Sequence, residues 1–141
     1  MKIMVSGCLL GLKCKYDGGD NRCDRVVALM EEHEVIPVCP ECLGKLPVPR
    51  VPAEIVDGVV TSAEGVVVDR QFRQGALDAL EIAREKDIDL AVLQSRSPSC
   101  GVKQVYDGTF SRTLRPGSGI FASMLMEAGF KVVDVEDFNN L

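Results

Sequence analysis

Six cysteines, Cys8, Cys14, Cys23, Cys39, Cys42 and Cys100, stand in a chain of 141 residues. Thiolates are ligands for soft metals and nucleophiles in redox chemistry. In a reducing compartment they are not expected to form structural disulfides, so this load points to metal or redox work. Burial as small apolar side chains accounts for two or three of them, Cys23 on a first helix among these. Cys8, Cys39 and Cys100 each follow a short apolar run, so three thiolates from distant segments can converge on an iron–sulfur cluster. Such clusters more often take four cysteines; three protein ligands leave one iron open, and an open position turns a structural metal site into a catalytic one. The gaps of 31 and 61 residues between them match no local ferredoxin spacing. Cys14 is an alternative to Cys8 or a nearby redox thiol. Cys39-Pro40-Glu41-Cys42 is a CxxC that competes for iron or zinc, or serves as the dithiol of a thiol–disulfide oxidoreductase. A zinc-bound structural module would draw four ligands from Cys8, Cys14, Cys39 and either Cys42 or Cys100, and chelators would unfold it.

Other chemistries have less to work with. His33 is the only histidine and lies far from these motifs. The net charge is −5 with no dense basic run, which disfavours a polyanion as main partner. A local patch of Arg50, Arg70, Arg73 and Arg96 is left to meet a single anion. Hydrophobic residues at 46 % and charged residues at 26 % suit a soluble globular protein. The N-terminus has no signal-peptide core, and no run of about 18 apolar residues occurs, so a cytoplasmic protein without membrane contact is expected.

Positioning the cysteines requires strands that end beside them. Residues 2–6 and 35–38 read as buried strands ending at Gly7-Cys8 and Cys39-Pro40, and 89–94 as a third. Residues 9–21 form a loop, and 22–33 have helical spacing with Asn21 or Asp24 as caps. Four prolines make 40–53 irregular, and 54–68 is a hairpin around Gly58 and Gly65. A helix over 69–86 presents Phe72, Ala76, Leu80 and Ala83 on one face. Residues 95–118 read as one long functional loop, followed by a helix over 119–128 and a strand over 130–135. The expectation is a single α/β domain over residues 1–141: a three-layer, Rossmann-like sandwich with a mainly parallel sheet and a small hairpin excursion. Right-handed crossovers put ligand chemistry at the carboxyl ends of the strands, where Cys8, Cys39 and Cys100 all lie.

Local contexts narrow the reading. Cys8-Leu9-Leu10-Gly11 precedes Cys14-Lys15-Tyr16-Asp17-Gly18; Cys39-Pro40-Glu41 leads to Leu46-Pro47-Val48-Pro49-Arg50 and Pro52-Ala53-Glu54. Ser95-Arg96-Ser97-Pro98-Ser99-Cys100-Gly101 precedes Tyr106-Asp107-Gly108-Thr109-Phe110. Over nearly the whole chain these blocks resemble the thiouracil desulfurase family. The resemblance implies a [4Fe–4S] cluster with one open iron on Cys8, Cys39 and Cys100, Glu41 as acid/base and Ser97 as an active-site serine. Its implied substrate is a small thiolated nucleobase; related domains with an additional domain act on thiolated tRNA, which the acidic charge and missing extra domain make less apt here. Ser99, Gly101, Asp17 and Tyr106 are the expected substrate-binding residues, the two Tyr-Asp-Gly triplets closing the site from two sides. Lys45 stands where the family usually has a second glycine, Val51 where it has a proline, and Cys42 is an added thiol.

The expected reaction is hydrolytic. The open iron takes the soft sulfur of a C=S group, which activates the carbon toward water; Glu41 accepts the proton of that water, and Ser97 with nearby backbone N–H groups holds the base. Water and a thiouracil give uracil and hydrogen sulfide. A sulfide carrier or cluster-sulfur donor is the reading that would share the colour but not the turnover. At the last helix, Gly117-Ser118-Gly119 reads as a capping loop rather than an anion site.

Overall fold

The computed structural model describes residues 1–139. Strands β1 (Lys2–Ser6), β2 (Glu34–Val38), β5 (Leu90–Leu93) and β8 (Val132–Asp134) pair in parallel in the order β2-β1-β5-β8. The β1 register sets Ser6 beside Val38 and Val5 beside Val92, so three strands finish at one level. Pro37 is tolerated because β2 is an edge strand, where a missing N–H breaks no ladder. Alternating side chains leave the sheet in opposite directions. Met4, Ala91 and Leu93 pack with Ala76, Ala79, Phe121 and Leu125; Ile3, Val5, Leu90 and Val92 pack with Val26, Leu29, Val135 and Phe138. Both faces are thus covered, giving the three-layer α/β arrangement that the strand and helix order implies.

The helices on the first face are α3 (Asp69–Lys86) and α4 (Ile120–Glu127), both where the sequence places them. The buried stripe of α3 is Phe72, Gly75, Ala76, Ala79, Leu80 and Ala83, mostly small residues that allow a close approach. On the second face the expected helix over 22–33 is only α1 (Asp24–Val27) followed by a 3-10 turn over Ala28–Glu31. Its cap is Cys23, neither Asn21 nor Asp24, and Cys23 is half-buried there rather than inside a helix. The supposedly irregular 40–53 begins with a helical turn, α2 (Pro40–Leu43), because proline at the first helical position has no N–H to waste.

Two antiparallel hairpins stand off the sheet. In β3 (Ala53–Val56) and β4 (Val59–Ser62) the Asp57-Gly58 turn has both φ values positive, as a two-residue hairpin demands. Ile55 and Val60 seat this hairpin on Phe72 of α3. The second hairpin corrects the reading of 95–118 as one loop: β6 (Gln104–Tyr106) pairs with β7 (Leu114–Pro116). Runs of three residues among polar neighbours lack the length that periodicity needs. Its tip carries Gly108, Phe110 and Arg112 at positive φ, and the Glu54 carboxylate accepts from Gly108 N at 3.0 Å and Phe110 N at 3.2 Å. Glu54→Ala should therefore lower stability by about 1 kcal/mol, because the part-buried Gly108 N–H loses its partner while the exposed Phe110 N–H turns to water. Urea unfolding measures that, and hydrogen exchange at Gly108 and Phe110 should rise selectively. Among the described residues no helix is long and apolar enough to cross a membrane.

Candidate active site

Three arms bring cysteines to the carboxyl edge of the sheet. On the first, β1 runs into a 3-10 turn over Gly7–Leu10 that Gly11 ends at φ 93°, a left-handed value suited to glycine. Cys8 lies buried in that turn; its Sγ receives Asn21 Nδ2 at 3.5 Å while its carbonyl accepts Asn21 N at 3.0 Å. On the second arm, Cys39 leaves β2 in extended conformation and caps α2, whose Leu43 N donates to Cys39 O at 2.9 Å. Glu41 and Cys42 follow in the same turn.

The third arm, Ser97–Gly101, is held from within and from α4. Ser97 Oγ accepts from Ser99 N at 3.0 Å and Cys100 N at 3.1 Å, and Gly101 N donates to Ser97 O at 2.9 Å. The first N–H groups of α4 close on it: Ile120 N donates to Pro98 O, and Phe121 and Ala122 N to Ser99 O. That end of α4 is thus satisfied by loop carbonyls, as the capping-loop reading expects. A Cβ on Gly119 would lie 2.5 Å from Ser99 C, so only glycine admits this contact. Cys100 is buried, with Ser99 Oγ donating toward its Sγ at 3.6 Å. Ser6, also buried, accepts Gln94 N at 2.9 Å and lies near enough to Cys100 to oppose the rise that burial causes there.

The charges show that these arms share one space. Burial first, then the nearness of Cys39 and Glu41, pushes the Cys8 thiol up against the lowering effect of Asn21. Burial likewise pushes Cys100 up, with Glu41 and Cys8 adding to it and Ser6 and Ser99 opposing. Cys39 goes the other way, down to about 5, through a hydrogen bond from Cys14, the Cys42 N–H and thiol, and the Arg50 charge, which together outweigh burial. Cys14, as the donor in that bond, is raised, and burial with the neighbouring Cys39 holds Cys42 up at about 11. Glu41 is raised mainly by burial, against the pull of Arg50. The Arg50 side chain is 6 % exposed and Nη2 bridges Glu41 Oε2 at 3.1 Å and Cys14 O at 2.9 Å. Asn21 and Ser99 donate toward Cys8 and Cys100 and offset part of the burial that favours their thiols, while Cys39 alone is shifted toward thiolate.

Of the expected site residues, Cys8, Cys39, Cys100 and Glu41 come together. Ser97, Ser99 and Gly101 belong to the turn that presents Cys100, and the Ser97 hydroxyl oxygen accepts two backbone N–H groups and lies 3.1 Å from Ser99 Oγ. The Asp17 carboxylate is exposed and turned back on its own loop, accepting Gly19 N at 2.9 Å. Tyr106 lies half-buried on β6 opposite Leu114. The triplet turns are tied elsewhere: Arg50 N donates to Tyr16 O, and a Cβ on Gly108 would meet Ile55 O at 2.6 Å. The arginine patch does not assemble, since Arg73 pairs with Asp69 and Arg96 with Glu136 while Arg50 faces Glu41. Residues the sequence reading missed in these roles are Ser6, Asn21 and Arg50. Only Arg50 carried a signal, its place beside Pro47-Val48-Pro49.

Lys45 adopts φ 67°, a left-handed value that costs about 1 kcal/mol for a residue with a Cβ and that suits the glycine the resemblance leads one to expect there.

A single zinc holds its thiolates about 2.3 Å from one point. Among the described residues no three His, Cys, Asp or Glu side chains close on one ion in that way. Thiolates are the ligands of iron–sulfur clusters, and hydrogen bonds to the sulfurs, as at Cys8 and Cys100, are among the contacts that tune such a group.

Comparison with known proteins identifies the relatives of this chain. The 2-thiouracil desulfurase family matches residues 3–137. A curated relative from Bacillus subtilis (strain 168), the uncharacterized protein YbbK, is 34 % identical over 149 aligned positions, covering 99 % of each chain. A solved structure described as a [4Fe-4S]-dependent thiouracil desulfidase, TudS, superposes with a TM-score of 0.92 at 35 % identity, covering 97 % of this chain and 92 % of the other.

Proposed function

Because the chain belongs to the 2-thiouracil desulfurase family, we propose that it removes sulfur hydrolytically from a thiolated pyrimidine such as 2-thiouracil, with a [4Fe–4S] cluster held by Cys8, Cys39 and Cys100. The observation that carries this reading is the approach of Cys8, Cys39 and Cys100 to one another and to the half-buried Glu41 carboxylate at the strand ends. When bound, the cluster would supply an iron without a protein ligand, a Lewis acid for the soft sulfur of the C=S group.

The chain's own residues supply the rest. Glu41 takes the proton of the attacking water; burial raises its proton affinity, and Arg50 keeps the carboxylate formed at Oε2 rather than letting it turn away. Asn21, Ser6 and Ser99 hold negative charge on the Cys8 and Cys100 sulfurs. Ser97 works through the turn, presenting Cys100 rather than touching the base. The products are the oxygenated base and hydrogen sulfide, with no net electrons consumed.

Anaerobic reconstitution followed by a sulfide assay over 2-thiouracil, 4-thiouracil, a thionucleoside and thiolated tRNA tests the proposal. We expect brown protein and sulfide release with a free thiobase. A loaded protein that releases sulfide from none of them would be a sulfur carrier instead.

A further inference from the structure

Cys42 is a thiol that the desulfuration chemistry does not use, yet it lies beside a cysteine that the chemistry needs. Cys39 Sγ and Cys42 Sγ approach the same carbonyl, Cys14 O, at 3.8 and 3.9 Å. The backbone of α2 fixes them one helical turn apart, with Cys39 at the cap and Leu43 N returning to Cys39 O. Access separates the thiols further. Cys8 and Cys100 are buried, whereas Cys39 and Cys42 are half-exposed and line a hollow of about 240 Å³ with Pro37, Val38, Leu43 and Ile82. A small molecule in that hollow reaches the second arm of the site and neither of the others.

We propose that, in the cluster-free protein, Cys39 and Cys42 close a reversible disulfide by exchange with a low-molecular-weight disulfide, and that this bond withholds Cys39 from the cluster. The inference rests on the reading of Cys39 as a ligand. One protein thiolate attacks the external disulfide, forming a mixed disulfide and releasing one small thiol. The neighbouring thiolate then attacks the protein-side sulfur and releases the second. The protein dithiol is oxidised by two electrons, the external disulfide is reduced by two, and the two thiol protons leave on the two small thiols. Cys14 also lies close to Cys39, but it does not line the hollow that admits the small disulfide, and its carbonyl is held by Arg50 Nη2 at 2.9 Å. A dithiol reductant reverses the closure and returns Cys39 for loading.

The test uses the full chain without cluster, equilibrated with oxidised glutathione at neutral pH, alkylated, digested with trypsin and weighed. No Lys or Arg separates Cys39 from Cys42, so both fall in the Val26–Lys45 peptide, which should appear lighter by two hydrogens and unalkylated. Iron uptake should fall by the fraction of chains carrying the disulfide and return fully after dithiothreitol. Cys42→Ser should hold glutathione on Cys39 without closing a loop and should load iron normally once reduced. Absence of the disulfide, or a Cys14–Cys39 bond in its place, would overturn this proposal and leave the desulfurase reading intact. A disulfide that forms without lowering iron uptake would overturn both the withholding and the ligand role of Cys39.

Discussion

Replacing Glu41 by Gln should leave the protein folded and fully loaded with iron while lowering turnover about 10²- to 10⁴-fold, the range attributable to one general base. Gln is the informative substitution because its amide oxygen still accepts from Arg50 Nη2, the contact Glu41 makes at 3.1 Å. Alanine would also strand a guanidinium that is 6 % exposed, and breaking one side of such a pair is costly in itself. Iron and sulfide analysis, the visible spectrum and steady-state sulfide release separate the outcomes. A Glu41→Gln protein that turns over at the wild-type rate removes Glu41 from the chemistry. Loss of iron would place it among the groups that hold the cluster.

Gly75→Ala should be the most damaging small substitution outside the site. A Cβ there would lie 1.7 Å from Pro40 O and 2.8 Å from Gly44 N, and a Cβ on Gly44 would lie 2.1 Å from Gln71 O. The backbones of α2 and α3 thus touch directly, with no flexible side chain between them to yield. Two effects oppose each other. Alanine favours helix over glycine by about 1 kcal/mol, while overpacking a tight contact costs typically about 1–3 kcal/mol and occasionally more. With backbone as the obstacle the second wins, and α2 must move. It carries Cys39 and Glu41, and a displacement of about 1 Å at reacting groups can lower the rate about 10²-fold. We expect lower iron content, turnover reduced on that scale and a lower urea midpoint. Leu77→Ala on the exposed side of the same helix should change none of these. Normal iron and turnover in Gly75→Ala would mean that α2 does not depend on this contact.

The longest elements were legible because their patterns are redundant. Over Asp69–Lys86 many apolar positions repeat the same period, so one misleading residue does not hide the helix. Short elements lack that redundancy. The turn at Pro40–Leu43 hid behind its proline, and β6 and β7 hid within a polar stretch because three residues show no period. The site divided along similar lines. Cys8 and Cys39 were visible because each follows an apolar run directly, Cys100 because it lies in the loop after one, and the role of Glu41 came from the resemblance of the blocks around it. Asn21 and Ser6 were not, since an amide or hydroxyl that serves a sulfur looks in sequence like any cap or strand end.

The chain's order of apolar runs, by itself, determined a parallel sheet and the edge of it where the cysteines emerge, because strand direction follows from crossover length and handedness. Which hydroxyl or amide faces which sulfur, that Arg50 meets Glu41, and that two glycines let α2 rest on α3 were decided only in three dimensions. Those are contacts between segments tens of residues apart, and no local preference encodes a partner that the fold alone brings near.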